Sequence, residues 1–342
     1  MLALQALTPQ QLAASVPAIT LAEARKLVAQ AHRGEPIAAT SAIRRVAADA
    51  VRAVAEMPQL EVIAETPSQI DPFVKYLVAA GDGSRFETVR IPLEDPTRFV
   101  ACVSSQVGCA LACAFCATGR LGLTRNLETW EIVEQVRIVR ARLSHGRVHG
   151  VVFQGMGEPL ANLDAVLGAI AVLTEPCALG IDARAITVCT AGLPVGIRRL
   201  AREAPNVRLG ISISSAIGAH RRSLMPIDRA HDLEDVLAAA AEHARLTNLS
   251  PMWAVTLLEG VNDSDEDARA LADRARAFEA ETGKRPRLSI IAYNSIGAEG
   301  DDPFRRSIRE REFRAALGFP SHRRYSGGGD VQAACGQLAA RS

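Results

Sequence analysis

Three cysteines stand close together in this chain, at Cys109, Cys113 and Cys116, in the spacing C-x3-C-x2-C. Thiolates are soft ligands that favour iron–sulfur clusters, zinc or Cu(I), so the spacing indicates a metal site. Structural zinc sites are closed by four ligands, commonly two Cys-x2-Cys pairs or two cysteines with two histidines. The nearest histidines, His145 and His149, are remote in sequence, and no second cysteine pair is present. The pattern therefore favours a [4Fe–4S] cluster held by three thiolates, with one iron left open, over a zinc site.

The composition is that of a globular chain without a strong overall charge. Its 342 residues, 48% of them hydrophobic, are enough for one large α/β domain with a small appendage. The formal net charge is +1, so binding of a polyanion would have to rely on local patches. Seven unevenly spaced cysteines argue against a secreted disulfide framework. The sequence shows no signal peptide and no apolar run of about 18 residues, so we expect a cytoplasmic protein that does not span a membrane.

The alternation of apolar strands with amphipathic helices predicts the fold class, α/β. From residue 99 onward, strands and helices alternate in six successive units. Such alternation implies parallel strands joined by right-handed crossovers, and the functional residues of parallel barrels lie at the carboxyl ends of the strands. Strands are predicted at about 99–104, 148–154, 184–189, 207–213, 251–257 and 287–292. Helices are predicted at about 128–143, 162–174, 193–203, 232–246, 264–281 and 306–317.

Four regions are expected along the chain. They are a small helical domain at 1–58, a β-rich extension at 59–98, the barrel at 99–325 and a C-terminal segment at 326–342. Within the helical domain, Thr20 and Glu23 form a capping box that begins a helix. An apolar stripe predicts a further helix there, and it comprises Ile43, Val46, Ala47, Ala50, Val51 and Val54.

Four more segments carry a resemblance to a known family. They are Cys102–Cys109 (CVSSQVGC), Arg125–Leu127 (RNL), Gly155–Leu160 (GMGEPL) and Ala333–Leu338 (AACGQL). With the cysteine triad, they resemble the RlmN/Cfr family of radical S-adenosylmethionine (SAM) enzymes over roughly residues 70–340. The resemblance implies a radical SAM partial (β/α)6 barrel with a small N-terminal helical domain and a β extension. It also implies methylation of C2 or C8 of an adenine in ribosomal or transfer RNA.

The same resemblance implies the cofactors and partners. Cys109, Cys113 and Cys116 would hold one [4Fe–4S] cluster per chain, and two SAM molecules would be consumed in each turnover. The substrate would be ribosomal or transfer RNA. An electron donor such as flavodoxin or ferredoxin would reduce the cluster. The protein would act as a monomer.

The resemblance assigns SAM contacts to residues that follow successive strands. Gly157 and Glu158 stand in the family's Gly-Met-Gly-Glu-Pro motif, in which the carboxylate can accept hydrogen bonds from the SAM ammonium group. Cys189 stands where the family usually has a serine. Because a thiol is a poorer hydrogen-bond partner, Cys189 is either a weaker contact or a small buried hydrophobe. The remaining predicted contacts are Ser212, Ile213, Ser214 and Asn294.

Two cysteines outside the triad and one glutamate are the predicted catalytic residues. The resemblance makes Cys335 the methyl carrier and Cys102 the resolving thiol, with Glu87 or Cys102 as the proton acceptor. SAM methylates the Cys335 thiolate, the carrier carbon is joined to the adenine, and a transient Cys102–Cys335 disulfide releases the product. The C-terminal segment must then fold back over the barrel mouth, because the Cα atoms of a disulfide lie within about 7 Å.

Two other interpretations stay open at this point. The first is the same methyl-cysteine radical chemistry on a small molecule or a peptide, which the low net charge, the scarcity of lysine and the acidic 297–304 loop favour. The second is a non-catalytic RNA-binding module with an iron–sulfur or zinc site. The pairing of Cys102 with Cys335 argues against the second, because binding alone requires neither thiol. Cys177 is assigned no role.

Overall fold

The computed structural model describes residues 1–297 and 302–340, so Glu299 and Asp301 of the predicted acidic loop lie outside the described residues. The strands are β1 Leu2–Ala3, β2 Ala55–Glu56, β3 Glu61–Pro67, β4 Val74–Ala79, β5 Arg85–Pro92, β6 Arg98–Val103, β7 Gln106–Cys109, β8 Gly122–Asn126, β9 Arg147–Phe153, β10 Ile186–Thr190, β11 Arg208–Ser212, β12 Met252–Leu257, β13 Arg287–Ala292 and β14 Ser321–Arg324. The α-helices are α1 Pro9–Ser15, α2 Leu21–Arg33, α3 Arg45–Val54, α4 Thr129–Ala141, α5 Leu163–Thr174, α6 Pro194–Glu203, α7 Gly218–Leu224, α8 Leu233–Thr247, α9 Asp265–Thr282 and α10 Glu310–Leu317.

Ten strands form one mixed sheet in the order β14-β13-β12-β11-β10-β9-β6-β5-β4-β3. The strands from β14 to β6 run parallel to one another, and those from β6 to β3 are antiparallel neighbours. All six predicted strand–helix units are present, from β6 with α4 to β13 with α10. The predicted α/β fold class is therefore confirmed.

Strand β14 and the hairpin of β7 and β8 are among the elements that were not predicted from the sequence. Strand β14 reads Ser-His-Arg-Arg, which has no apolar alternation, and it pairs in parallel with β13 at the edge of the sheet. Strands β7 and β8 form a hairpin on either side of the cysteine loop. Gly108 in this hairpin has a φ of 77°, and a Cβ atom there would overlap the carbonyl oxygen of Gly122. Only glycine fits where the two strands approach so closely.

The N-terminal helices have a small hydrophobic core of their own. The predicted capping box is confirmed, because Thr20 Oγ1 accepts from the Glu23 amide at 3.2 Å and Glu23 Oε2 accepts from the Thr20 amide at 2.9 Å. The predicted stripe is wrong at two positions, since Val46 and Val54 of α3 are 56% and 40% exposed. The buried positions are Ile43, Ala47, Ala48 and Val51. The division of the chain into four regions stays a prediction.

Large apolar side chains fill the core of the barrel. Trp253 of β12 is fully buried and packs edge-on against Phe278 of α9, with ring centroids 5.2 Å apart, which ties a helix to the sheet. Cys177 packs against the hydrophobic core of the N-terminal helices rather than in the barrel core. Its thiol donates to Glu175 Oε1 at 3.3 Å. Within the described ranges, none of the helices has the length and apolar character needed to cross a bilayer.

Candidate active site

The cysteine triad lies in the hairpin of β7 and β8, where Cys109 ends β7 and Cys113 and Cys116 lie in the loop that follows. Cys109, Cys113 and Cys116 are partly exposed, and all three line one pocket of about 140 Å³. Burial raises the pKa of Cys109 to about 11 and also raises the pKa of Cys113. A metal that binds these sulfurs must therefore displace their protons, as metal binding to cysteine ordinarily does.

The carboxyl ends of strands β9 to β13 form the rest of this pocket. Gly157 and Glu158 follow β9, Cys189 lies in β10, Ser212 ends β11 and Ser214 follows it. The structure thus brings five of the predicted SAM contacts together with the triad. Their position at the carboxyl edge is where parallel barrels carry their functional residues.

Two predicted SAM contacts lie elsewhere. Ile213 is 1% exposed and packs in the barrel core, so its side chain does not line the pocket. Asn294 follows β13, and its amide nitrogen donates to the Cys335 carbonyl oxygen at 3.2 Å and to Ser326 Oγ at 3.1 Å. Asn294 therefore holds the C-terminal segment in this structure.

The carboxylate of Glu158 is buried and is held by backbone donors. Oε1 accepts from the Leu160 amide at 3.0 Å, and Oε2 accepts from the Ala191 amide at 2.8 Å. Burial raises the pKa of this carboxyl group, and the hydrogen bonds oppose the rise. Gln106, which was not predicted, accepts from the Glu158 amide at 2.8 Å. The carboxylate is fixed where a ligand ammonium group can pair with it.

Arg221 joins two loops of the pocket wall and was also missed. It is fully buried, pairs with Asp228 at 3.0 Å, and donates to the carbonyl oxygens of Ser212 and Ala191, each at 2.8 Å. Burial lowers the pKa of Arg221, and the charge of Asp228 opposes the shift. A sequence shows that an arginine is present but not that it is buried, so no local pattern could have identified this role.

The C-terminal segment folds back over the barrel and reaches the cysteine loop. The Ala117 amide, directly after Cys116, donates to the Gly336 carbonyl oxygen at 2.8 Å. Thr118 Oγ1 donates to the Leu338 carbonyl oxygen at 2.6 Å. These contacts bring Cys335 to the rim of the triad pocket, which it helps to line.

Cys335 and Cys102 line a second cavity of about 100 Å³ beside the first. Neither thiol is bridged, and burial raises the pKa of both, that of Cys102 to about 12. Gln154 Nε2 donates to Cys335 Sγ at 3.1 Å, and Arg324 Nη2 donates to Gln154 Oε1 at 2.7 Å. The charge of Arg324 opposes the rise in the pKa of Cys335. Gln154 and Arg324 escaped prediction because they are 170 residues apart in sequence.

Glu87 lies beneath the C-terminal segment rather than on a cavity wall. Its buried carboxylate lies 2.9 Å from Lys75 Nζ. The other oxygen accepts from the amides of Ala339 and Ala340 at 2.8 and 3.0 Å. Glu87 lines neither cavity described above, and its role as a proton acceptor stays a prediction.

Comparisons with known proteins agree with this arrangement. The Radical SAM superfamily model matches residues 103–273. A probable RNA methyltransferase of Sorangium cellulosum is 58% identical over 356 residues, covering 97% of this chain and 90% of that protein. The dual-specificity RNA methyltransferase RlmN of Syntrophobacter fumaroxidans is 40% identical over 291 residues, covering 83% of this chain and 81% of that protein. The chain belongs to the RlmN family of radical SAM methyltransferases. A crystal structure of a radical SAM methyltransferase from Sphaerobacter thermophilus matches with a TM-score of 0.88 and 34% identity, over 100% of both chains.

Membership of the radical SAM family implies a [4Fe–4S] cluster and SAM. The donor set of this methyltransferase fits such a cluster, because three thiols from one loop face one pocket. Among residues 1–297 and 302–340, no three His, Cys, Asp or Glu side chains converge closely enough for a single metal ion. A cubane cluster does not demand such convergence, since each thiolate binds a different iron.

Cys189 stands at the position where the RlmN/Cfr pattern usually has a serine. The residue is 9% exposed, and burial raises the pKa of its thiol to about 12. It also lines the triad pocket. The side chain is therefore a buried thiol that lines the pocket, and its contact with SAM stays a prediction.

Proposed function

We propose that the protein methylates C2 or C8 of an adenine in ribosomal or transfer RNA, through an S-methylcysteine at Cys335 and a transient Cys102–Cys335 disulfide. The observation that carries this proposal is the cavity shared by Cys102 and Cys335, which adjoins the triad pocket. A methyl carrier must reach SAM and the base in turn, and a resolving thiol must reach the carrier. Binding of RNA alone would require neither thiol.

The relatives favour RNA over the alternative of a small-molecule or peptide substrate. Those at 58% and 40% identity bear the names of RNA methyltransferases and are matched over most of their length. The low net charge that motivated the alternative describes the whole chain, whereas RNA is bound by local patches. We propose that the protein acts on RNA, and that it does so in the cytoplasm as a monomer.

In this proposal Cys109, Cys113 and Cys116 hold one [4Fe–4S] cluster per chain, and each turnover consumes two SAM molecules. When bound, the cluster supplies the electron that splits SAM into methionine and a deoxyadenosyl radical. A donor such as flavodoxin or ferredoxin provides that electron. Glu158 pairs with the SAM ammonium group, since its carboxylate is already fixed by two backbone amides on the pocket wall.

The remaining SAM contacts come from the ends of β10 and β11. Ser212 and Ser214 offer hydroxyl groups to the ligand, and Cys189 offers a weaker thiol contact. Gly157 has a φ of 99°, and a Cβ atom there would lie 2.6 Å from the Gln106 Cβ. The absence of a side chain at Gly157 keeps Gln106, and with it the Glu158 backbone, in place. Ile213 packs in the core between Ser212 and Ser214, whereas Asn294 holds the C-terminal segment that carries Cys335.

Cys335 reacts first as a nucleophile. As the thiolate, its sulfur takes the methyl group of the first SAM, while Gln154 donates a hydrogen bond to the sulfur and Arg324 orients Gln154. The carrier methyl would later give one hydrogen atom to the deoxyadenosyl radical, which becomes 5′-deoxyadenosine. The remaining methylene carbon would then bond to the adenine carbon. Cys102 or Glu87 accepts the proton that leaves the adenine carbon.

Cys102 then ends the covalent attachment. The excess electron of the adduct would return to the cluster held by Cys109, Cys113 and Cys116, which gave up one electron when SAM was split. The Cys102 thiolate would then attack the Cys335 sulfur, so that the sulfur–sulfur bond forms as the sulfur–carbon bond breaks. The electron pair of the broken bond passes to the new methyl carbon, which takes up a proton. Reduction of the disulfide by an external thiol restores both cysteines.

Anaerobic purification and mass spectrometry test the proposal. We expect about four irons per chain, as a cubane cluster requires, and SAM cleavage when a reductant is added. RNA from cells that express the protein should contain a methyladenosine that is missing from cells without it. The Cys102→Ala variant should accumulate RNA covalently attached at Cys335. A protein without iron, or RNA of unchanged mass, would contradict the proposal.

A further inference from the structure

A cleft of about 550 Å³ opens between strands β5 and β6 on one side and the residues after β14 on the other. Its lining includes Thr187, Arg208 and Met252 from the amino-terminal halves of β10, β11 and β12, whereas the triad lies beyond the carboxyl ends of the parallel strands. The cleft shares four lining residues with the cavity of the two catalytic thiols. They are Phe73, Ile91, Arg324 and Tyr325.

The cleft is the first of three contiguous spaces. The cavity of the two thiols shares Gln154, Cys335 and Gly336 with the triad pocket. In this series of adjoining spaces, Cys335 lines the two that lie beyond the cleft. The carrier therefore adjoins both of these spaces, as a methyl relay requires.

Unpaired positive charge surrounds the cleft. Arg184 and Arg208 are exposed and line it, and Arg287 begins the strand beyond. None of these three arginines forms an ion pair with a carboxylate in the part of the chain that the structure describes. Asp182 also lines the cleft, where its carboxylate accepts from the Arg184 amide at 2.9 Å.

The arginines also repel one another. Burial lowers the pKa of Arg287, and the charge of Arg208 lowers it further. Burial also lowers the pKa of His322 on β14, and the charges of Arg287 and Arg324 add to that effect. Like charges held together without carboxylates are stabilised by an anionic ligand, and guanidinium groups match phosphate oxygens in geometry.

An aromatic side chain stands at the opening of the cleft. Tyr325 is 68% exposed and packs edge-on against Phe73, with ring centroids 6.1 Å apart. Its hydroxyl group donates to Asp71 Oδ2 at 2.9 Å, which fixes the ring. Proteins that bind single-stranded nucleic acid commonly combine an exposed aromatic side chain, on which a base stacks, with cationic side chains that bind the phosphates.

We propose that the RNA substrate enters through this cleft, with a base stacked on Tyr325 and the flanking phosphates bound by Arg184 and Arg208. The inference rests on the proposed function and adds the route and the contacts. The target nucleotide leaves its own stack, as bases that undergo chemistry ordinarily do, and passes Arg324 to reach Cys335.

Binding of a fluorescein-labelled RNA stem-loop with unpaired adenines to the reconstituted holoenzyme tests the route, with anisotropy measured at several salt concentrations. In the Arg184→Gln/Arg208→Gln variant, the slope of log affinity against log salt should be about 1.4 smaller in magnitude, at about 0.7 for each single-strand phosphate. Tyr325→Leu should weaken binding roughly 5- to 150-fold. The control is Arg198→Gln/Arg245→Gln, which removes one half-buried and one exposed arginine from outer helices.

The outcomes separate the inference from the proposed function. If the unmodified holoenzyme shows no binding of the stem-loop, both fail. If it binds and the cleft variants match the control variant, the cleft proposal fails and the proposed function stands. Unchanged RNA binding, with SAM cleavage lost only when flavodoxin replaces dithionite, would assign the arginines to the electron donor and overturn the cleft proposal.

Discussion

Gln154 Nε2 lies 3.1 Å from Cys335 Sγ, and this contact joins the end of a central strand to the C-terminal segment. Gln154 directly follows β9, so its backbone is fixed by the sheet. Its oxygen is held in turn by Arg324 at 2.7 Å. The position of the carrier sulfur is therefore set by two parallel strands rather than by its own loop.

Replacing Gln154 should slow the first chemical step. In Gln154→Leu the thiolate loses a charge-assisted hydrogen bond worth about 1.5–3 kcal/mol, so methylation of Cys335 should be roughly 10- to 150-fold slower. The increase in mass of the Cys335 peptide with time measures this step directly. Gln69→Leu, on the exposed surface, should leave the rate unchanged. Equal rates in the two variants would contradict the role of Gln154.

Glu87 should act on the position of the C-terminal segment. Glu87→Ala removes the acceptor of the Ala339 and Ala340 amides and leaves Lys75 without its partner. Hydrogen bonds to charged groups are worth about 1.5–3 kcal/mol, so hydrogen exchange at these two amides should become at least about tenfold faster.

Two further measurements separate this role from that of a proton acceptor. A group that only accepts the substrate proton would leave both the exchange rates and the methylation of Cys335 unchanged. Loosening of the segment should lower the rate of Cys335 methylation as well. Glu61→Ala, an exposed strand position, serves as the control for both measurements.

Acid should destabilise the fold through two buried histidines. Burial and the charges of Arg137 and Arg140 lower the pKa of His32 to about 3, and burial lowers that of His243 to about 4. The unfolded chain binds these protons near pH 6.5, whereas the folded chain binds them only near those lower values. The free energy of unfolding should therefore fall as pH drops from about 6.5 to 4, by up to about 1.4 kcal/mol per unit for each histidine.

Urea denaturation between pH 7 and pH 4.5 checks this dependence. The slope of the free energy of unfolding against pH should become shallower in His243→Phe. It should stay the same when the exposed His145 is replaced. An unchanged slope in His243→Phe would mean that this histidine is not the source of the dependence.

The hairpin around the triad should tolerate alanine at one glycine and not at another. Gly108 and Gly122 have φ values of 77° and 72°, but only a Cβ atom at Gly108 would overlap its neighbour. Both substitutions carry the cost of a left-handed backbone, about 1–2 kcal/mol, so their difference isolates the overlap. We expect Gly108→Ala to lose most of its iron and Gly122→Ala to keep it, as measured by iron analysis of anaerobically purified protein.

Regular elements were the part of the fold that the sequence could predict. Strand β9 and helix α5 have strong local patterns, so 148–154 and 162–174 correspond closely to Arg147–Phe153 and Leu163–Thr174. Strand β14 was missed because it is polar and pairs along only one edge. A hydrophobic pattern indicates which side chains of a segment pack in the core. The edge strand Ser-His-Arg-Arg buries very little of its surface there.

The candidate site was predictable where a motif is local. The triad and Gly157–Glu158 are short segments, and the structure places them on one pocket. Gln154 and Arg324 act through contacts between distant parts of the chain, so no spacing could identify them. Asn294 shows the opposite difference. Its predicted contact with SAM stays untested, whereas its hydrogen bond to the C-terminal segment was not predicted, because the direction of a side chain after a strand depends on what packs above it.

The bond from the Ala117 amide to the Gly336 carbonyl links neighbours of Cys116 and Cys335. We propose that iron loading and carbon transfer are coupled through this bond, because a shift of the proposed iron ligand Cys116 would move the residue next to Cys335. An apoprotein should for this reason be a poor consumer of SAM even at its first, non-radical step. Maturation would then have a fixed sequence, in which the inorganic centre is installed before the first carbon is accepted.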